Sequence, residues 1–196
     1  MATAIMSLKK ELEAHFVVII NDNVEAALAS KVDGVHVKEH QAQDIPRIRK
    51  LLENEAKMED GSICNRIIVG TSCHSLQSGL LNWKRFRPDY MFVGTCYLTQ
   101  SHPEKTSVEQ LEGPSLPGKV RQAIQNAMHK ECDVQGGQEK ELESFAPIIL
   151  AIGGINELNC AEPVQLGADG VAVIRSVLNA DDPAAVVQSM IQKMLE

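Results

Sequence analysis

The stretch FVVIINDNVEAALASKVDGVHV, residues 16–37, holds two apolar runs separated by a short helix-forming segment. FVVII and GVHV are apolar at consecutive positions and β-branched, the pattern of strands buried on both faces. NVEAALAS between them is rich in good helix formers. Two strands joined through a helix lie parallel, with a right-handed crossover. The polar pair Asn21-Asp22 stands where the first strand runs out. Open α/β sheets and barrels place their chemistry at that end of the strands.

The unit recurs along the chain. RIIVGTS (66–72), DYMFVG (89–94), PIILAIGG (147–154) and GVAVI (170–174) read as further strands. Between them, DIPRIRKLLENEAK (44–57) is a helix capped by Asp44, with Ile45, Ile48, Leu51, Leu52 and Ala56 on one face. SLQSGLLNWKRF (75–86) turns Leu76, Leu80 and Trp83 inward, and PGKVRQAIQNAMHK (117–130) turns Val120, Ile124 and Met128 inward. NELNCAEPVQLG (156–167) ends on Gly167, a suitable residue just past a helix terminus. DPAAVVQSMIQKML (182–195) closes the chain as a helix capped by Asp182, with Pro183 in its first turn. GADGV near the end echoes KVDGV near the start, the internal similarity of stacked β/α units. The fold expected from this alternation is α/β, a parallel sheet of about six strands with right-handed crossovers. Residues 1–196 form one domain in this reading, with 1–15 an N-terminal extension and 131–146 a flexible insertion. TQSHPEKTSVEQLEGPSL (99–116) reads as an active-site loop.

Composition narrows the function. Aromatics make up 4% of the chain, so aliphatic side chains must fill the core. A net charge of -7 argues against nucleic acid as partner, since such proteins present basic patches. No run approaches the ~20 apolar residues of a membrane span. The cysteines, Cys64, Cys73, Cys96, Cys132 and Cys160, are odd in number and contain no C-x-x-C, so neither a disulfide framework nor a zinc site is expected. A reducing compartment follows, the cytoplasm or a plastid.

The strand ends offer Asn21-Asp22, Lys38 to Gln41, Thr71 to His74, Gly94-Thr95, Gly153-Gly154 and Arg175-Ser176. LAIGGI and GVAVIRSV together suggest a phosphate cup, backbone N–H groups at a glycine turn beside the start of a short helix. Asp22 reads either as a Mg²⁺ ligand or as part of an Asn-Asp turn capping the next helix. No Ser/His/Asp triad assembles. His36 and His40 lie at a strand end, so their spacing of four does not make a metal face.

These motifs in combination resemble thiamine-phosphate synthases. The resemblance rests on FVVIINDNVEAALASKVDGVHV, IIVGTSCHS, PDYMFVGTCYLTQSHPEKTS and IILAIGGINELNCAEPVQLGADGVAVIRSVL, in family order over nearly the whole chain. It implies a TIM (β/α) barrel, here incomplete with about six β/α units, and a transferase joining hydroxymethylpyrimidine diphosphate to a thiazole phosphate, with loss of pyrophosphate and with Mg²⁺ as cofactor. Asn21 then resembles the pyrimidine-side asparagine, Asp22 a magnesium aspartate and Ser72 a pyrimidine-diphosphate contact. Thr99 and Ser101 match the hydroxyls on the thiazole phosphate, and Gly153, Gly154, Ile174 and Arg175 match the phosphate cup.

The chain departs from that family at several points. Gln41 stands in place of a second magnesium aspartate, His102 in place of a lysine (Lys105 is the nearest), and Arg175 in place of a serine. The resemblance begins at the family's third strand, so its first two β/α units and their Gln-x-Arg-x-Lys segment are expected to be lacking. Such a sheet has two open edges, which a homo-oligomer could cover. The related thiazole tautomerases carry a histidine where this chain has Thr95. The alternatives to a transferase are an inactive relative that binds a phosphorylated thiazole or thiamine phosphate, and another small-phosphate enzyme on the same scaffold.

Overall fold

A computed structural model describes residues 1–55, 67–134 and 146–196. The chain runs through α1 (Ala2–Glu11), β1 (Ile19–Asn21), α2 (Val24–Ser30), β2 (Gly34–Val37), a 3₁₀ turn at Glu39–Asp44 and α3 (Ile45–Glu55). It continues through β3 (Ile68–Cys73), α4 (Leu76–Phe86), β4 (Tyr90–Val93), a 3₁₀ turn at Val108–Gln110 and α5 (Leu116–Val134). Last come β5 (Ile148–Ile152), α6 (Ala161–Gln165), β6 (Gly170–Ala172), α7 (Arg175–Leu178) and α8 (Pro183–Leu195). The six strands form one parallel sheet in chain order, curled into a half-barrel with β1 and β6 as its edges. The expected α/β architecture of an incomplete barrel is the one observed.

An aspartate at each of three strand pairs, β1 with β2, β3 with β4 and β5 with β6, sets the register. Asp33, Asp89 and Asp169 each precede a strand, in the segments VDG, PDY and ADG. Their Oδ2 atoms accept the backbone N–H of Val18 at 2.6 Å, Val69 at 2.7 Å and Ile149 at 2.8 Å. Each aspartate's own N–H donates back to the carbonyl of that same residue, at 3.0, 2.9 and 2.8 Å. The carbonyls of Asp33 and Asp89 then accept from Ile68 and Ile148 of the next strand, both at 3.0 Å. A cation from an outer helix closes each latch: Lys9 of α1 at 2.7 Å, Arg49 of α3 at 2.8 Å and Arg121 of α5 at 2.8 Å. These bonds fix β1 on β2, β3 on β4 and β5 on β6 at the strand entrances.

The helices pack their apolar stripes on the convex face. Val35, Val69, Ile45, Ile48 and Leu52 build the first cluster, Met91, Val93, Trp83, Val120 and Ile124 the second, and Ala151, Ile155, Cys160 and Met190 the third. Two expected core residues are instead exposed: Leu51 by 42% and Leu76 by 37%. Leu51 turns past the edge of the α3 stripe, and Leu76 occupies the first turn of α4, beyond the sheet. Ala56, and 135–145 of the expected insertion, lie outside the described residues; 131–134 continue α5. Asp44 ends a 3₁₀ turn that runs into α3 rather than capping it. Asp182 caps α8 as expected, accepting from Ala185 at 3.0 Å, and Gly167 has φ +103°. Strand β1 is shorter than the apolar run 15–20 suggests, because its pairing with β2 begins only at Ile19. No helix among the described residues is long and apolar enough to cross a membrane.

Strand alternation turns the other set of side chains toward the concave face. Val17, Ile19, Ile68, Tyr90, Phe92, Ile148, Leu150 and Ile152 line an apolar trough of about 790 Å³ there. His36 is the polar residue buried in it, 7% exposed, and burial pushes its pKa down to about 4.

Two outcomes follow from this packing. Asp89→Ala strands the buried Val69 N–H and removes the carboxylate partner of Arg49, which keeps its bonds to the Ile67 and Arg87 carbonyls, so thermal unfolding should show a loss of roughly 1–3 kcal/mol. An exposed control such as Glu25→Ala should change stability by less than about 0.5 kcal/mol. Because the folded pKa of His36 is depressed, the unfolded chain takes up its proton first as pH falls. The His36 contribution is therefore intact above about pH 6.5 and is lost as pH falls toward 4. Melting temperatures of the wild type and His36→Asn should converge across that window.

Candidate functional site

At the C-terminal end of the sheet, successive strand ends and the loop after β4 surround a cavity of about 270 Å³. Ser72, Thr99, Ser101, His102, Gly153, Gly154, Ile174 and Arg175 all line it, so eight of the residues singled out from sequence come together. Asn21 lines the neighbouring trough instead, with His36 and Lys38. Ser72, Phe92, Ile152 and Ile174 border both spaces, so the two communicate.

The glycine turn after β5 has φ +101° at Gly153 and +67° at Gly154. A Cβ on Gly153 would stand 2.6 Å from Thr95 Cγ2, and one on Gly154 would stand 2.5 Å from the Leu98 carbonyl oxygen. Only glycine lets this strand end pass beneath the β4 loop with that backbone. Asn159 Nδ2 donates to the Gly154 carbonyl at 3.2 Å and steadies the turn.

Arg175 begins α7 and reaches across to that loop. Its guanidinium donates to Thr99 Oγ1, and to Gln100 Oε1 at 3.4 Å. The Ser101 N–H donates to Thr99 Oγ1 at 3.3 Å. His102 Nδ1 lies 2.9 Å from Glu104 Oε1, and His74, also on the cavity wall, lies 2.6 Å from Glu39 Oε2. Among the described residues Ser176 Oγ, which is buried, has no hydrogen-bond partner, and Ser176 lines the same cavity.

Lys105, the lysine nearest the expected position, is committed elsewhere. Its Nζ lies 2.6 Å from Glu112, whose Oε2 accepts the Thr95 N–H at 2.6 Å. Burial pushes the Glu112 carboxyl up, but the Lys105 ammonium and the Thr95 N–H outweigh it and leave it below the usual range. Lys105 therefore pins the loop to the end of β4.

Asp22 sits on the rim with φ +62°, an uncommon conformation for a non-glycine residue. The cap of α2 is Asn23, whose Oδ1 accepts from Ala26 at 2.8 Å, so Asp22 is not that cap. Its Oδ2 instead lies 2.7 Å from Lys38 Nζ. The Lys38 ammonium, with Gln41 adding a hydrogen bond, holds the Asp22 carboxyl below its ordinary range. Among the described residues no three His, Cys, Asp or Glu side chains gather as a metal site. Magnesium shared with substrate phosphate needs only one or two protein carboxylates. At Asp22 such an ion would take the place of the Lys38 ammonium on Oδ2.

Sequence reasoning placed Ser176 among the strand-end residues without giving it a role, and it missed Tyr90 and the partnership of Lys38 with Asp22. Tyr90 carried no signal, since it opens an apolar strand.

The chain is similar to known proteins over most of its length. The family model for thiamine monophosphate synthase matches residues 1–177. A thiamine-phosphate synthase of Chloroflexus aurantiacus is 32% identical over 174 residues, 88% of this chain and 62% of its own length. One of Mannheimia succiniciproducens is 31% identical over 98% of this chain and 71% of its own length. The chain thus spans about 62% of the length of the first of these relatives. Among solved structures, a thiamine phosphate pyrophosphorylase from Pyrococcus furiosus has the same fold, with a TM-score of 0.67 at 22% identity, covering 99% of this chain and 74% of that one. A 3-hexulose-6-phosphate synthase from Salmonella typhimurium shares the fold more loosely, with a TM-score of 0.53 at 16% identity over 99% of this chain and 80% of that one. By the match over residues 1–177 and the identity to its relatives, the chain belongs to the thiamine monophosphate synthase family.

Proposed function

We propose that this protein is a transferase of the thiamine-phosphate synthase type, joining hydroxymethylpyrimidine diphosphate to a thiazole phosphate and releasing pyrophosphate. The observation that carries this reading is the single cavity gathering Ser72, Thr99, Ser101, His102, the Gly153-Gly154 turn and Arg175, open to an apolar trough. The thiazole phosphate occupies the cavity. Arg175 supplies positive charge, the hydroxyls of Thr99, Ser101 and Ser176 supply hydrogen bonds, and the glycine turn lets backbone approach the phosphate. The pyrimidine lies in the trough beside Phe92, within reach of Asn21. Ser72 and Ile174 border both spaces, so the two substrates meet there.

In the reaction the bond from the pyrimidine methylene to the diphosphate oxygen breaks, and pyrophosphate leaves with the electron pair. The thiazole nitrogen lone pair then forms the new carbon–nitrogen bond. The trough excludes water from the cation, and Lys38 offers its ammonium to the departing charge. Asp22 would hold Mg²⁺, which when bound neutralises charge on the diphosphate. A homo-oligomer covering the β1 and β6 edges fits this reading.

Thiochrome fluorescence after mixing the chain with both substrates and Mg²⁺ tests the proposal. Product should form, fall to background with chelator, and drop at least about 100-fold in Asp22→Ala. A folded protein that makes no product removes the transferase reading. Arg175→Ala should weaken thiazole phosphate binding about tenfold by calorimetry, the loss of one charged hydrogen-bonding partner. Unchanged affinity would place the phosphate elsewhere.

A further inference from the structure

Three inward-facing positions line up across the middle of the sheet. In the parallel register His36 of β2 stands opposite Gly70 of β3, and Gly70 opposite Tyr90 of β4. Gly70 has no side chain, and a Cβ there would come within 2.1 Å of Tyr90 Cζ. The Tyr90 ring fills that space and reaches over β3 to the histidine. Its hydroxyl meets His36 Nδ1 at 3.0 Å, and His36 Nε2 meets Ser72 Oγ at 3.0 Å. The Phe92 ring closes on both partners, with centroids 4.6 Å from His36 and 5.1 Å from Tyr90.

We propose that Tyr90 is a positioning residue, which fixes the tautomer of His36 so that the Ser72 hydroxyl donates its proton toward an anion in the adjoining cavity. This deepens the transferase reading and rests on it for the identity of that anion, a diphosphate. A neutral imidazole accepts at one nitrogen and donates at the other. Tyr90 and His36 are 8% and 7% exposed, and the trough around them is apolar. The phenol proton needs an acceptor there, and among the described residues His36 Nδ1 is the one that meets it. Nε2 then carries the ring proton and donates it to Ser72 Oγ. Ser72 has its acceptor role filled from behind, and its own proton points away from His36, toward the cavity it borders. In the other tautomer the phenol proton is stranded in an apolar space, and Ser72 spends its proton on Nε2 and faces the anion with lone pairs. Stranding a buried donor biases the tautomers by about tenfold.

Nitrogen-15 NMR of histidine-labelled protein at pH 8, with His36 assigned by its contacts to the Phe92 ring, reads the tautomer without any substrate. The wild type should show the Nε2–H form. Tyr90→Phe should shift His36 toward the Nδ1–H form and weaken binding of inorganic pyrophosphate about tenfold. A wild type in the Nδ1–H form overturns the proposal by itself, whether or not the variant folds. So does a Tyr90→Phe protein that melts earlier but keeps both tautomer and pyrophosphate affinity, the signature of a packing role alone. An Nε2–H wild type that binds no pyrophosphate upholds the tautomer lock and counts against the transferase reading, so the two failures are distinguishable.

Discussion

The aspartate latch at the strand entrances is the interaction on which the rest depends. A parallel sheet has evenly spaced, slanted hydrogen bonds, so its apolar runs alone leave register open to slippage. Asp33, Asp89 and Asp169 remove that freedom, because each binds one residue of the preceding strand through both side chain and backbone. A slip of one residue would reverse every side chain between convex and concave faces. The cations Lys9, Arg49 and Arg121 come from helices on the convex side, so the same group that sets register also ties the helical layer to the sheet.

With register set at the entrances, the opposite ends of the strands arrive in fixed relation. That end carries the polar residues and the glycine turn of the cavity, while the strands' convex face is apolar. The site is accordingly built on rigid strand ends and completed by one loop, which the Lys105–Glu112–Thr95 chain anchors. Arg175 makes the second closure by binding Thr99 and Gln100 from the far side. Positive charge is thereby brought to a cavity wall in a chain whose net charge is -7. The field relevant to an anion is local, set by which donors face the cavity rather than by the sum over the surface.

Much of this was legible beforehand. Alternating β-branched runs and helical stripes announce parallel β/α units, and the Gly153-Gly154 and Arg175 segments announce strand-end chemistry. The errors have plain physical causes. Leu51 and Leu76 have the right residue type for a stripe, but burial depends on where each helix meets the sheet. Asp22 resembles a cap by spacing, yet Asn23 takes that role because the chain leaves β1 through a left-handed residue at Asp22.

The sequence by itself determined the fold class, the order of the elements, and the ends of the strands at which polar residues collect. These follow from periodicity and from turn residues, which are local properties of the chain. Only the tertiary structure decided which polar groups meet. Arg175 finds Thr99 from 76 positions away, and His36 finds Tyr90 from 54 positions away across a glycine. Lys38 finds Asp22 through the pairing of β1 with β2. Such partnerships depend on register and on the space a neighbour leaves open, and neither is written in the local pattern of any one segment.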